Sequence, residues 1–237
     1  MKTIPLLTAL SLSLGLAVTA QASDAITDAM QTAYAPYRVA LFSTNGKSQP
    51  DAKAAIEQAQ QAWRGVVEQN GKQITAPYDR DAGFASSLAQ VKAVYDKASK
   101  EIDAGKLPEA HETLEEAREV LATLRQRNGV IVFSDLMNAY HAEMEHLLNT
   151  GPKQLGAPQG ISEVTAQVGV LNYLVQRLRA QASASLLQNA EFNALLTAVE
   201  ASVGSLKSAA LAQDAAALKE AIGRVKGPYS KLFLKFG

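Results

Sequence analysis

The feature that most constrains this chain is an apolar helical stripe that recurs 108 residues later without losing register. Over 80–104 the positions Phe84, Leu88, Val91, Tyr95, Ala98 and Ile102 step by four, three, four, three and four, the spacing of one helix face. Ala104-Gly105 is a stop signal, and Pro108 then sits in the first turn of a new helix, where its missing N–H costs nothing. Leu107, Ala110, Leu114, Ala117, Leu121 and Leu124 continue the alternation, so the two segments read as an antiparallel helical hairpin. A shift of 108 turns these two stripes into Phe192, Leu196, Val199, Val203, Leu206 and Ala210, then Ala215, Leu218, Ile222, Val225, Tyr229 and Leu232, apolar at every position. The same shift carries Ile56, Trp63, Val66 and Val67 onto Val164, Leu171, Leu174 and Val175. The first helices match with one residue fewer: "TDAMQTAY" corresponds to "SDLMNAY", placing Asp28 over Asp135 and Met30 over Met137. A register kept over three helices, with loops of equal length, indicates tandem duplication.

Each half is expected to hold four helices, roughly 24–45, 50–70, 80–104 and 107–127, then 131–149, 161–182, 190–212 and 214–235. Short connections make neighbours antiparallel. The expected fold is therefore all-α, two tandem up-and-down four-helix bundles over 23–128 and 129–237, with Asn128-Gly129 as the seam. Pro36 and Pro228 are expected to kink or split the first and last helices, and "GPKQLGAPQG" at 151–160 to form an irregular loop.

Residues 1–22, with Lys2, an apolar run from Ile4 to Val18 and the small-residue site "AQA", read as a cleaved secretory signal peptide. The run is too short and wrongly flanked for a spanning helix. Without any cysteine, the chain has no lipid-attachment Cys, no disulfide, no thiolate metal site and no covalent haem attachment. The expected location is the Gram-negative periplasm, in soluble form. Cleavage removes only Lys2 among the charges, leaving 22 basic against 23 acidic side chains. Such a balance argues against nucleic acid or an anionic membrane surface as partner.

The segment "EIDAGKLPEAHETLEEAREVL", with its Gly-Lys-aliphatic-x-Glu-Ala core, and the Asp-x-Met that opens each half resemble the periplasmic cytochrome b562 family. The resemblance runs over essentially the whole mature chain, once per half. It implies four-helix bundles and non-covalent haem b, held between a Met near the start of the first helix and a His near the end of the last. Met30 and Met137 match the Met position. The His position falls near Arg125 and Phe233, with no His within a turn of either. The resemblance therefore implies a diverged member, non-enzymatic, whose haem ligation is lost or altered; a haem electron carrier using Met30 or Met137 is one alternative. On residue grounds alone both methionines are ordinary core filler.

The histidines supply a second alternative. His111 and Glu115 are four apart, as are His141 and Glu145, and His146 flanks the latter pair. Imidazole and carboxylate on facing helices suit Cu, Zn, Fe or Ni. If the chain folds back at Asn128-Gly129, His111 comes opposite His146 and Glu115 close to His141. A continuous helix would instead separate His111 from His141 by roughly 45 Å. The plainer reading places His111 and Glu115 on the margin of the apolar stripe, and the repeat replaces them by Lys219 and Gly223.

Enzyme chemistry finds no motif: there is no Gly-rich phosphate loop, no His-Glu-x-x-His and no nucleophile elbow, and Ser134-Asp135 reads as a helix start. Trp63 reads as a core anchor, and "YSKLFLKFG" as the end of a core helix. A structural or chaperone-like module with a periplasmic protein partner is the remaining alternative.

Overall fold

The computed structural model describes residues 24–71 and 73–237; the signal-peptide reading of 1–22 lies outside them. The described chain is all-α, with no strand among the described residues. Its helices are α1 (Ala25–Asn45), α2 (Gln49–Asn70), α3 (Phe84–Asp103), α4 (Leu107–Arg127), α5 (Phe133–Gln154), α6 (Gly160–Ala180), α7 (Ala184–Gln188), α8 (Ala190–Leu211), α9 (Ala215–Arg224) and α10 (Lys226–Phe236).

Helix contacts close into two rings. Helices α1, α2, α3 and α4 neighbour one another in chain order, and α4 returns to α1. In the other ring α5 packs on α6, α6 on α8, α8 on both α9 and α10, and these return to α5. Contact between α1 and α10 joins the rings. The apolar stripes face inward: Phe84, Leu88, Val91, Tyr95, Ala98 and Ile102 are buried, and so are Phe192, Leu196, Val199, Val203, Leu206 and Ala210. These residues belong to one continuous hydrophobic core that includes side chains of both rings. Helix α8 is long and apolar enough to cross a membrane, but its stripe lies in this core.

Three large polar side chains inside the core donate to backbone carbonyls. The Trp63 indole donates to the Leu88 carbonyl at 3.0 Å, which makes it a core anchor. The Tyr37 hydroxyl donates to the Leu114 carbonyl at 2.9 Å, and Tyr229 to that of Met137 at 3.2 Å.

Four helix ends share one geometry. At Gly105 (φ +71°) and Gly129 (φ +68°) the chain turns left-handed just past the helix. Lys106 N–H donates back to the Glu101 carbonyl and Val130 N–H to that of Arg125, closing Schellman motifs that satisfy the last carbonyls. Lys47 (φ +60°) and Gln213 (φ +54°) do the same after α1 and α8 without a glycine. Gln213 stands 108 residues after Gly105, so the turn persists at the corresponding position although the residue differs.

Several expected boundaries move. Residues 80–83 are turn rather than helix, and α3 starts at Phe84. Helix α5 starts later than expected, at Phe133, and runs through Pro152 to Gln154, so the first part of 151–160 is helical, not irregular loop. Helix α1 continues through Pro36. The final helix does divide, but at Val225, which leaves Pro228 in the first turn of α10, where a missing N–H breaks no intrahelical bond. The five-residue α7 was not foreshadowed by any stripe; Ser183 caps it by accepting from Leu186 N–H at 3.3 Å.

Candidate functional site

The Schellman turn at Gly129 reverses the chain between α4 and α5, so the two His-x-x-x-Glu pairs approach across a cleft instead of lying far apart on one rod. The cleft holds about 640 Å³ and is lined by His111, Glu115 and Arg118 from α4, His141 and Glu145 from α5, and Lys226 from α10. A small recess of about 40 Å³ adjoins it, bounded by Leu41 and Phe42 of α1, Met144 of α5, and Tyr229 and Phe233 of α10.

The imidazole and charged groups at the centre of this cleft contact one another. His111 Nδ1 donates to the Leu41 carbonyl at 3.1 Å, beside Thr44 Oγ1 at 3.2 Å, and its Nε2 faces Glu115 Oε1 at 3.7 Å. Arg118 lies between the helices. Its Nη1 donates to His141 Nδ1 at 2.6 Å and sits 2.6 Å from Glu115 Oε2, while its guanidinium stacks 5.1 Å from the centre of the Phe233 ring. The His141 ring therefore carries its proton on Nε2, which faces Glu145 Oε1 at 3.7 Å. Lys226 Nζ lies 2.9 Å from the same Glu145 oxygen.

Burial and charge set the protonation states. Burial, together with Arg118 and Lys226, pushes the His141 imidazole down to about 3, so it stays neutral. Burial also lowers His111, opposed by its bond to the Leu41 carbonyl and reinforced by Lys226 and Arg118. Burial raises the Glu115 carboxyl, with Arg118 pulling the other way.

His146 stands apart from this group. Its Nε2 lies 3.2 Å from Gln167 Nε2 on α6, and it is not among the residues lining the cleft. Among the described residues no three His, Asp or Glu side chains are close enough together to enclose a metal ion. The structure brings together His111, Glu115, His141 and Glu145 as two facing pairs, with Arg118 and Lys226 among them. Arg118 was legible in principle, since it follows His111 by seven residues and Glu115 by three on one helix face. Lys226 carried no local signal, because α10 reaches the cleft only through tertiary packing.

The methionines lie elsewhere. Met30 and Met137 are buried in the packed core. Near the end of α4, Arg125 is 1% exposed and clamps Asp135 of α5 through Nε at 2.9 and 3.1 Å and Nη2 at 2.5 Å. Asp135 also accepts from Val132 N–H at 3.1 Å, so it closes the first turn of α5 while binding Arg125. A guanidinium is permanently protonated and has no lone pair for iron, and Phe233 has no ligating atom. The residues at these positions do not fit an axial pair for b-type haem.

No family model, curated protein or solved structure matches this chain.

Proposed function

We propose that this chain is a non-enzymatic periplasmic binding protein, built as a tandem duplicate of a cytochrome b562-like bundle and no longer a haem carrier of that kind. The observation that carries this reading is the Arg125–Asp135 pair. It stands where the resemblance calls for a haem-ligating His and links the last helix of the first repeat to the first helix of the second. The duplication draws further support from the two rings of helices and from the left-handed turn kept at Gly105 and Gln213. With the haem position given over to an ion pair, the open cleft between α4 and α5 is where a ligand binds.

The test is spectroscopic. The mature protein purified from periplasm should show no Soret band and should take up no stoichiometric haem on titration with haemin. A b-type spectrum that changes in Met30→Ala or Met137→Ala would overturn the proposal and restore the electron-carrier reading.

A further inference from the structure

Asp135, Asn138 and His141 follow one another at helical spacing on α5, opposite Arg125, Ala122 and Arg118 of the antiparallel α4. The outer two of these three rungs are closed, Arg125 on Asp135 at 2.9 Å and Arg118 on His141 at 2.6 Å. The middle rung is open, because the alanine has no polar side-chain atom to offer. Both polar atoms of the Asn138 carboxamide are buried, and among the described residues neither has a hydrogen-bond partner. A buried amide left in this state is costly, so it stands ready for a ligand that brings one acceptor and one donor.

The open rung lies where two hollows meet. Ala122 and Asn138 line both the α4/α5 cleft and a neighbouring recess of about 520 Å³. That recess is largely apolar, with Val130, Ile131, Leu136 and Ala139 in its wall, and Ile131 is 74% exposed. On the other side of the rung, the exposed Glu112 and Glu119 line the cleft. The ion pairs of the cleft take up Glu115 and Glu145 and, among the described residues, leave Glu112 and Glu119 without a basic partner. From Glu112 to Gln126 the groove follows α4 for roughly 21 Å at about 1.5 Å per residue, the reach of about six residues of extended chain.

A residue of an extended chain presents its N–H and C=O on the same side, the complement of a carboxamide's oxygen and amino group. We propose that this groove binds an extended peptide segment that carries an aliphatic and a basic side chain. Asn138 exchanges two hydrogen bonds with one residue of the peptide, the aliphatic side chain fills the recess at Ile131, and the Lys or Arg reaches Glu112 and Glu119. Helical side chains lean toward the helix N-terminus, so Gln126, exposed and one turn beyond Ala122, is the cover that the peptide moves aside. Arg118, Lys226 and the two His–Glu pairs stay as they are, and no group changes its protonation state. This inference rests on the chain being a binding protein, and its failure would leave the loss of haem ligation untouched, because that is read separately from the haemin spectrum.

The experiment is fluorescence polarisation of the full mature protein with capped, fluorescein-labelled heptapeptides. Each carries one Leu and one Lys, two to four residues apart and in both orders, with Gly and Ser elsewhere. At least one should bind with a Kd below about 100 μM. Asn138→Leu should weaken that peptide ~10-fold and leave the melting temperature unchanged or higher, because it removes two unpartnered polar atoms. Ala122→Gln, which supplies the missing rung, should abolish binding in a protein that circular dichroism shows to be folded. The double variant Glu112→Gln, Glu119→Gln should bind more weakly and lose most of the salt dependence. No binding by any heptapeptide, or binding unchanged in Asn138→Leu, would overturn the site. A lower melting temperature in Asn138→Leu would show the amide to be partnered in the folded protein and would overturn it as well. Acetyl-leucinamide binding as tightly as the heptapeptides would overturn the peptide in favour of a small amide.

Discussion

Arg125 shows how one buried residue organises its surroundings. A guanidinium that is 1% exposed is tolerable only when its charge is matched, and Asp135 matches it with two parallel hydrogen bonds. Removing one partner strands the other charge in the core, so Arg125→Met and Asp135→Leu should each cost about 3–5 kcal/mol. The double variant should recover much of that loss, because no uncompensated charge remains. Urea unfolding of the three variants checks this, and additive losses would show that the pair is not coupled. Counting from Gly105 does place Arg125 near the end of its helix, but its partner was not legible. Asp135 reads from sequence as part of a helix start, which it also is; that its second oxygen reaches across the seam to α4 follows only from how the turn at Gly129 aims α5.

Helix ends are the element-scale lesson. Gly105 and Gly129 were readable as stops, since glycine alone enters the left-handed region without a Cβ penalty. Lys47 and Gln213 occupy that region too, against their intrinsic preference, because the Schellman bonds to Ser43 and Ala209 hold them there. Gln213→Gly should therefore stabilise the protein by about 1 kcal/mol, and Gly105→Gln should cost about as much, the mirror of one exchange at corresponding positions. A Cβ at Gly105 meets no atom within 4 Å, so the cost there is backbone strain and not a clash. Thermal melts of the two variants check the opposite signs. The prolines teach the same thing from the other side: Pro228 sits in the first turn of α10, where a missing N–H breaks no intrahelical bond, and Pro152, in the last turn of α5, removes one N–H near the end of the helix, so neither acts as the simple breaker its identity suggests.

At the scale of the whole molecule, the two rings share a core and are joined by Arg125–Asp135, by Arg118 with His141, and by α1 against α10. Unfolding either ring alone would strand buried charge at the seam. The chain should therefore unfold in one cooperative transition, with calorimetric and van't Hoff enthalpies equal; two resolved transitions would show the halves to be energetically independent. The all-helical class, the main helices and the buried stripes were determined by the sequence itself, because apolar spacing of three and four dictates which face of a helix must leave water. The facing of His111–Glu115 and His141–Glu145, the exclusion of His146, and the arrival of Arg118 and Lys226 between the pairs were decided by tertiary structure. Those relations depend on the angle at which one turn redirects a helix and on which side chain fills the gap that results, and neither quantity is carried by local periodicity.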